Sequence, residues 1–451
     1  MMDFSHMRAF FDAGNTLDPD ARLGWLRALQ QGIVRHEAEL LAALELDLGK
    51  APMEGYMTEV GLVLDELRCQ IRHLRRWARP RRVRTPLAQF HAVSRIYREP
   101  YGLVLVMAPW NYPLQLSLEP LIGAIAAGNC VVLKPSNYAP HTAKAMERLL
   151  SDCLPRELVR VVQGGRAENA ALLDTRFDYI FFTGGKTVGR LVMEKAAQFL
   201  TPVSLELGGK SPVLVLDDAK IDLAAKRIVF GKLLNSGQTC VAPDYVLVQR
   251  GAKDALVAAM RKYIALFLGE HPLQSPEYPH IINEKHAQRL TALLDGAQIL
   301  AGGQTDGLRI EPTLIEVRDR TAPAMQEEIF GPILPILPMD TLEDMIAFVR
   351  GDEKPLALYL FTESKPAQRE VLRRLSFGGG CVNDTVVHLA TTHMGFGGVG
   401  ASGMGAYHGK RSFDTFSHEK SVLDKSTFLD LPIRYHPYTK KKEKLLRFFL
   451  K

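Results

Sequence analysis

The segment at residues 102–135, "GLVLVMAPWNYPLQLSLEPLIGAIAAGNCVVLKP", decides the fold class of this chain. Two short apolar runs, at 102–108 and 130–134, flank an apolar stretch of helical length. A strand buried on both faces is apolar throughout, and two parallel strands need a crossover connection of about this length. The segment therefore predicts a strand, a helix and a parallel strand, which is the repeating unit of a doubly wound sheet.

The same alternation of apolar runs and amphipathic segments continues beyond this unit. After it come, in order, "HTAKAMERLLSDCL", "LVRVVQGG", "AENAALLDT", "DYIFFTG", "TVGRLVMEKAAQFL" and "PVSLELGG". In total the pattern predicts five buried parallel strands and four crossover helices. Ligands of such a sheet bind beyond the carboxyl ends of its strands.

The regions on either side of this sheet have different patterns. About 75 residues before it have helical periodicity, and Pro80 and Pro86 then bracket a break that leads into an extended arm. A second α/β run begins at "SPVLVLDD" (211–218) and ends at a glycine-rich region, at 377–380 and 394–405. The fold class expected is α/β: a doubly wound parallel-sheet domain, a second α/β domain and a small β arm.

Composition excludes several classes of protein. Of the 451 residues, 47% are hydrophobic and 24% are charged, which is ordinary for a globular protein of two or three domains. The five cysteines are scattered without CxxC spacing, which argues against a disulfide framework or a structural zinc site and favours a reducing compartment. The N-terminus has no signal-peptide core, and no apolar run is long enough to span a membrane, so we expect a cytoplasmic protein.

The net charge of +6 is concentrated at the C-terminus. The segment from Lys440 to Lys451, "KKKEKLLRFFLK", has six basic residues and one acidic residue, so the rest of the chain is nearly neutral and no nucleic-acid surface is expected. This tail either lies weakly on an anionic membrane surface, packs against a dimer partner or is disordered. The basic cluster from Arg72 to Arg84 is either an RNA-binding arm or, as we favour, a solvated helix end.

Polar side chains follow several of the predicted strands. Asn111 comes after the first strand and either donates a hydrogen bond into a site or lies in a turn. Lys134 ends the second strand and is either a cation for a phosphate or ribose group or a surface lysine. Glu206 ends the fifth strand between two leucines and is either a desolvated base or a carboxylate satisfied by backbone amides.

Three other stretches carry candidate residues. Gly184 and Gly189 at a strand–helix junction allow backbone to approach a phosphate, although the spacing matches neither GxGxxG nor a Walker loop. Glu328, in "QEEIFGP", either binds ribose hydroxyls or caps a turn. Cys240 ends "NSGQTC" (235–240) and is either a nucleophile or a small buried side chain after a helix.

Together these stretches resemble the aldehyde dehydrogenase superfamily, and its class 3 branch in particular. "APWNYPLQLSLEPLIGAIAAGNCVVLKPS", "FTGG", "LELGGKSP", "NSGQTC", "EEIFGP" and "FGGVGASGMGAYHGKRSFDTFSH" occur in the family's order along nearly the whole chain. The resemblance implies oxidation of an aldehyde to a carboxylic acid with NAD or NADP and no metal. It also implies an NAD(P)-binding domain at 1–78 and 102–206, a catalytic domain at 207–405, bridging and oligomerisation segments at 79–101 and 406–435, and a basic tail at 436–451.

The resemblance also implies roles for individual residues. Cys240 is the nucleophile, Asn111 and the Cys240 backbone hold the oxyanion, and Glu206 activates the water that hydrolyses a thioester. Tyr112 and Leu234 are implied walls of the substrate pocket, which suggests a medium- or long-chain aliphatic aldehyde or an aromatic one. The implied cofactor residues are Ala108, Pro109, Trp110, Lys134, Ser136, Asn137, Thr183, Gly184, Gly185, Val188, Gly189, Leu207, Gly208, Glu328 and Phe330.

The chain departs from the family pattern at three positions. Asn137 stands where many NAD-preferring relatives have a glutamate that binds the adenosine ribose, so we predict that NADP is accepted beside NAD. Gly185 replaces Ser or Asn and removes one side-chain contact to pyrophosphate, which Lys186 would offset electrostatically. Gly395 replaces Pro and loosens a loop near the substrate mouth, so substrate preferences are not transferred from relatives.

Two other functions were weighed against hydrolytic oxidation. A CoA-acylating aldehyde dehydrogenase would keep the cysteine and the cofactor site, but such enzymes generally lack the glutamate base that Glu206 supplies here. A non-catalytic structural protein of the same fold is disfavoured because Asn111, Glu206 and Cys240 are all present. The class 3 resemblance further implies a homodimer, built through the arm near 83–100 and the segment after about residue 410.

Overall fold

A computed structural model describes residues 2–450 of the chain, so that Met1 and Lys451, at the ends of the predicted segments 1–78 and 436–451, lie outside the described residues. The N-terminal part is helical, as its periodicity predicts. Asp18 caps the long second helix by accepting a hydrogen bond from the backbone N–H of Asp20, and Gly49 ends that helix. The four helices, of which the last two are joined by a π-helical turn at Tyr56–Val60, are α1 (Ser5–Asp12), α2 (Pro19–Leu48), α3 (Pro52–Gly55) and α4 (Gly61–Trp77).

The first large sheet has the alternation of strands and helices that the sequence predicts. Two arm strands precede it, β1 (Arg81–Val83) and β2 (Ala92–Pro100). The sheet then alternates β3 (Leu103–Met107), α5 (Gln115–Ala127), β4 (Cys130–Lys134), α6 (Pro140–Cys153), β5 (Val159–Val161), α7 (Arg166–Leu173), β6 (Tyr179–Gly184), α8 (Lys186–Ala197) and β7 (Val203–Leu207). Its parallel strands lie in the order β7-β6-β3-β4-β5. The order reverses between β3 and β6, and this topological switch point opens a crevice at their carboxyl ends.

The second α/β run is also present. Its elements are β8 (Pro212–Val215), α9 (Ile221–Leu233), β9 (Tyr245–Gln249), α10 (Lys253–Leu268), α11 (Glu284–Thr291), β10 (Gln298–Ala301), β11 (Thr305–Asp306), β12 (Arg309–Ile310), β13 (Thr313–Glu316), α12 (Pro323–Gln326), β14 (Ile333–Met339), α13 (Leu342–Arg350), β15 (Ala357–Phe361), α14 (Lys365–Arg374) and β16 (Gly379–Val382). Seven strands form one sheet in the order β10-β13-β14-β9-β8-β15-β16, in which only β10 pairs antiparallel, while β11 and β12 form a separate hairpin. The predicted α/β fold class with two sheets is therefore confirmed.

The C-terminal part joins two of the regions already described. It contains β17 (Gly403–Met404), α15 (Lys410–Thr415), β18 (Ser417–Lys425) and α16 (Lys440–Phe449). β18 pairs antiparallel with β2 along all nine of its residues, so that β1, β2 and β18 form a three-stranded arm. α16 begins at the predicted basic tail, where Thr439 caps it by accepting from the backbone N–H of Lys442.

Each of the two glycine-rich stretches contains a short strand. Residues 379–382 form β16, and residues 403–404 form β17, which pairs antiparallel with β7 and so extends the first sheet. At position 380 a Cβ atom would lie 2.0 Å from the backbone oxygen of Leu358 on the neighbouring strand. Glycine there serves close backbone approach rather than chain flexibility, which composition alone does not reveal.

Within residues 2–450, no helix combines the length and the apolarity that crossing a membrane requires.

Candidate active site

A cleft of about 1010 Å³ lies at the carboxyl ends of β3, β6 and β7. It brings together twelve residues that the sequence singles out, although they come from five separate stretches. They are Pro109, Trp110, Asn111, Thr183, Gly184, Gly185, Glu206, Leu207, Gly208, Cys240, Glu328 and Phe330. Leu116, His286, Arg289 and Glu327 also line the cleft and were not predicted.

Cys240 is held by a loop rather than by the end of a helix. α9 ends at Leu233, and Asn235, Ser236 and Gly237 then have left-handed φ values of 50°, 51° and 74°. Such strained backbone is retained where the surrounding structure enforces it. The loop places Cys240 in the wall of both the cleft and an apolar cavity, so that it does not directly follow a helix.

The thiol of Cys240 lies in surroundings that disfavour its negative charge. Burial raises the pKa of Cys240, and the carboxylates of Glu328 and Glu206 raise it further. The thiolate is the reactive form of cysteine. A base or a neighbouring positive charge is therefore needed to make this cysteine nucleophilic.

Glu206 is a buried carboxyl group without a hydrogen-bonding partner. It lies in β7 opposite Thr183 of β6 and Gly403 of β17, and only 3% of the residue is exposed. Neither carboxyl oxygen has a hydrogen bond within residues 2–450. The interpretation that backbone amides satisfy Glu206 is therefore wrong, and burial raises its pKa well above the ordinary value.

Asn111 is tied to the loop of Cys240 from both its side chain and its backbone. Its carboxamide Nδ2 donates to the backbone oxygen of Gln238 at 3.0 Å. Its own backbone oxygen accepts from Asn235 Nδ2 at 2.6 Å and from Lys50 Nζ at 3.0 Å. A carboxamide has two N–H donors, so this arrangement retains one donor for another acceptor in the site.

On the far side of Cys240 lies an apolar cavity of about 740 Å³. Tyr112 and Leu234, the two predicted pocket walls, both line it, and the hydroxyl groups of Tyr112 and Thr239 are 2.6 Å apart. The sequence missed its other walls, because they come from helices with ordinary core periodicity and from a loop after β16. The missed walls include Met57, Leu62, Leu116, Phe230, Val386, Leu389, Phe396 and Tyr407.

The walls of the cleft fit a dinucleotide. Glu328 presents an enclosed carboxyl oxygen, Oε1, that has no hydrogen bond within residues 2–450, and burial raises its pKa to about 8. It lies over Gly208, where a Cβ atom would be 1.9 Å from Glu328 Oε2. Such an oxygen can accept hydrogen bonds from ribose hydroxyls. Gly185 precedes α8, whose N-terminus favours an anion such as pyrophosphate.

Six of the predicted cofactor residues lie beside the cleft rather than in its wall. Lys134 is buried and donates to the backbone oxygens of Pro135 at 2.7 Å and Gly164 at 2.8 Å, so the surface-lysine interpretation is wrong. Burial lowers the pKa of Lys134. The other five follow the same strand ends or lie on α8, and both Asn137 and Val188 are exposed. The six residues are Ala108, Lys134, Ser136, Asn137, Val188 and Gly189.

The rim of the cleft includes two side chains from α11 that sequence reasoning missed. The ring of His286 lies 5.5 Å from the ring of Trp110, and Phe330 packs edge-on against Trp110 at 5.4 Å. Arg289 donates to the backbone oxygen of Ile329 at 2.6 Å. α11 follows no strand of the first sheet, so no strand-end signal marks it.

Comparison with known proteins agrees with this geometry. Residues 4–422 match the aldehyde dehydrogenase family. The chain is 48% identical over 450 residues to 4,4'-diaponeurosporen-aldehyde dehydrogenase of Staphylococcus aureus. The aligned region covers 99% of this chain and 98% of that protein. It is 44% identical to aldehyde dehydrogenase family 3 member H1 of Arabidopsis thaliana, over 98% of this chain and 93% of that protein.

Solved structures show the same relationship. The substrate-bound aldehyde dehydrogenase AldH of Staphylococcus aureus superposes with a TM-score of 0.97 at 47% identity, covering 99% of this chain and 98% of that chain. The chain therefore belongs to the aldehyde dehydrogenase family, in its class 3 branch, and is an enzyme that oxidises aldehydes with NAD or NADP.

Proposed function

We propose that the enzyme oxidises apolar aldehydes to carboxylic acids through a covalent thioester on Cys240, which water activated by Glu206 hydrolyses. The observation that carries this proposal is that Cys240 lies where the polar cleft meets the apolar cavity, with Glu206 in the same cleft. A nucleophile in this position can reach a carbonyl carbon at the end of an apolar chain. Two tractable steps then replace one difficult step.

In the first step the Cys240 thiolate attacks the carbonyl carbon and forms a C–S bond, while the carbonyl oxygen becomes an oxyanion. Asn111 Nδ2 and the backbone N–H of Cys240 donate to that oxygen, and removal of one such donor typically costs about 2.7–4 kcal/mol. Glu328 and the N-terminus of α8 would hold the ribose and the pyrophosphate of NAD(P)⁺, whose nicotinamide would take the hydride from the carbon, so that the C=O bond forms again and a thioester remains.

In the second step Glu206 takes a proton from a water molecule, which attacks the thioester carbon and breaks the C–S bond. The acid leaves, the electron pair of the broken C–S bond returns to the Cys240 thiolate, and Glu206 releases its proton to solvent. The unpaired oxygens and the raised pKa of Glu206 support this role, because a carboxylate in such surroundings is a stronger base than an exposed one. The same observations favour hydrolysis over transfer of the acyl group to CoA.

The substrate proposed is a medium- or long-chain aliphatic aldehyde or an aromatic aldehyde. The cavity is lined mainly by aliphatic and aromatic side chains. Apart from Cys240 and the tyrosines, its one ionisable side chain is that of His408, which lies 3.0 Å from the buried Glu119. Among the residues that line the cavity, the only side chain that can become a cation, His408, is already paired with Glu119, so a phosphate or carboxylate on the substrate would be buried without a partner. The staphylococcal relative is named for 4,4'-diaponeurosporen-aldehyde, which makes that aldehyde a useful member of a test panel.

Three further properties belong to this proposal. NADP is accepted beside NAD, because Asn137 is an exposed neutral amide that does not repel a 2′-phosphate. The enzyme is cytoplasmic and forms a homodimer through the arm of β1, β2 and β18. The basic tail makes at most a weak contact with an anionic membrane, since Leu445, Leu446 and Phe449 already share an apolar groove with the segment between β1 and β2 and with residues 431–433.

The test compares Cys240→Ala and Glu206→Gln with Cys381→Ala, which changes a cysteine outside the cleft. With a panel of apolar aldehydes, Cys240→Ala should form no NAD(P)H, and Cys381→Ala should retain activity. Glu206→Gln should still form NAD(P)H in the first turnover while steady turnover falls by about 10²–10⁴. Activity in Cys240→Ala, parental turnover in Glu206→Gln, or acyl-CoA as the main product when CoA is added would contradict the proposal.

A further inference from the structure

We infer that the buried ion pair of Lys50 and Glu59 is a positioning pair that fixes the turn carrying Asn111, an inference that rests on the role proposed above for Asn111. Both side chains are fully buried, and Lys50 Nζ lies 2.5 Å from Glu59 Oε1. A buried ion pair gives little stability of its own because both charges lose their hydration. The role of this pair therefore depends on the other hydrogen bonds that Lys50 and Glu59 make.

The Lys50 ammonium makes two hydrogen bonds and one cation–π contact. One N–H points to Glu59, one donates to the backbone oxygen of Asn111 at 3.0 Å, and the ammonium lies 3.9 Å from the centre of the Tyr112 ring. The cation therefore contacts the residue proposed to bind the oxyanion and the adjacent residue of the substrate wall. Lys50 contacts the backbone oxygen of Asn111 and not the carboxamide that is proposed to bind the oxyanion.

Glu59 holds the other end of the same turn. Its second carboxylate oxygen accepts from the backbone N–H groups of Leu114 at 2.8 Å and Gln115 at 3.2 Å. These N–H groups open α5, where a negative charge is favourable. The ion pair thus clamps residues 111–115 from both ends against the helix that carries Glu59.

The neighbouring segment also holds the loop of Cys240. Glu54 accepts from the backbone N–H of Asn235 at 2.7 Å, and Asn235 in turn donates to the backbone oxygen of Asn111. Residues 50–59 therefore brace both loops that meet at the reaction centre. A misplacement of about 1 Å at such a centre costs roughly 10²-fold in rate.

The experiment compares Lys50→Met and Glu59→Gln with Lys253→Met, which removes the ammonium of a half-buried ion pair with Glu316 that lies outside the cleft. All are assayed as the full chain, with thermal unfolding and cofactor binding measured beside kcat and KM. We expect Lys50→Met to lower kcat at least about tenfold and to slow the first-turnover formation of NAD(P)H. Its KM for the aldehyde and its affinity for NAD(P) should stay within about threefold, because the cavity and the cofactor cradle do not contain Lys50.

Glu59→Gln keeps the size of the side chain and an oxygen acceptor, so it should fold and lose a smaller factor of kcat. The Lys50→Met/Glu59→Gln double variant should lose less than the product of the single losses, since the pair acts as a unit. If Lys50→Met does not fold, Glu59→Gln decides, and a parental kcat in that variant overturns the inference. Folded Lys50→Met with the kcat of Lys253→Met overturns it as well. An active Cys240→Ala would instead contradict the proposed function.

Discussion

At the scale of single residues, this active site is built from ionisable groups that the fold keeps away from water. Glu206 and Glu328 both have carboxyl oxygens without hydrogen bonds within residues 2–450, and both raise the pKa of Cys240. Ionising such groups costs free energy in the folded protein. Shifted pKa values of this kind are typical of residues that bind ligands or take part in catalysis. Two predictions follow from individual side chains.

Replacement of Glu328 by Gln should make stability less sensitive to pH. The pKa of Glu328 is raised to about 8, so between its ordinary value and 8 the folded state holds a proton that the unfolded state has lost. Stability therefore falls as pH rises through this window. In Glu328→Gln the unfolding temperature should fall less between about pH 5 and pH 8 than in the parent. Glu327→Gln, at an exposed neighbour, is the control and should keep the parental slope; an unchanged slope in Glu328→Gln would contradict the prediction.

Replacement of Asn137 by Glu should disfavour NADP selectively. A carboxylate at this exposed position repels a 2′-phosphate, so kcat/KM for NADP should fall at least about tenfold, or 1.4 kcal/mol, while kcat/KM for NAD changes little. Asn137→Gln keeps a neutral amide and should leave both values close to parental. If the parent already prefers NAD more than about a thousandfold, ~4 kcal/mol, the proposal that it accepts NADP is wrong.

At the scale of elements, the turn after α9 and the terminal helix α16 are features that the strand pattern does not predict. The first-sheet strands end where the sequence predicts, but Cys240 reaches the cleft through a short turn of left-handed residues after α9. α16 packs one apolar face against the segment between β1 and β2 and against residues 431–433, and it leaves Phe448 73% exposed. Each of these elements can be tested by a change that leaves the rest of the fold intact.

Gly237→Ala should displace Cys240, whereas Gly296→Ala should not. Both glycines have similar φ values, 74° and 69°, so both variants meet the same backbone strain of roughly 1–2 kcal/mol. A Cβ atom at 237 would lie 2.3 Å from the backbone oxygen of Gly331, whereas one at 296 has open space. Gly237→Ala should lose a further ~1–3 kcal/mol of stability and most of kcat. Equal kcat values in the two variants would show that the turn does not position the cysteine.

Removal of the tail should reduce membrane binding only slightly. Each cation near an anionic surface contributes about 1 kcal/mol, and salt screens this attraction. In co-sedimentation with anionic liposomes, the full chain should bind weakly at low salt and a chain that ends at Tyr438 should bind less. Neutral liposomes are the control, and equal partitioning of the two chains on anionic liposomes would exclude a membrane role for the tail.

At the scale of the whole molecule, the two sheets and the arm leave strand edges that a second copy can cover. β16 ends the second sheet and β18 ends the arm, and neither has a partner on its outer side within residues 2–450. Leu423 on β18 is 46% exposed. Unpaired edges with apolar side chains favour association between chains.

The molecular mass in solution should be twice the 50.2 kDa of one chain. Leu423→Asp should shift the mass measured by light scattering toward that of the monomer, because it places a charge on the arm. Leu372→Asp changes a similarly exposed leucine, 53%, on α14 and should remain a dimer. A parent that is monomeric at micromolar concentration, or a Leu423→Asp variant of unchanged mass, would contradict assembly through the arm.

Much of this architecture was predictable because its signals are local in the chain. Continuous apolar runs such as Leu103–Met107 and Tyr179–Gly184 mark strands buried on both faces, and polar residues directly after them fall at one edge of a parallel sheet. The sequence by itself thus determined the α/β class, the alternation of strands and helices in the first sheet and the family to which the chain belongs. It also marked Asn111, Glu206 and Cys240 as candidates.

Only the tertiary structure decided the surroundings of those candidates. Glu206 has Gly403 of β17, almost two hundred positions later, as its neighbour on the next strand, and Asn111 is braced by Lys50 from an N-terminal helix end. The apolar cavity likewise combines Met57, Phe230 and Val386. The desolvation of a side chain, its hydrogen-bonding partners and the shape of a cavity depend on contacts between residues far apart in the chain, so local sequence patterns cannot predict them.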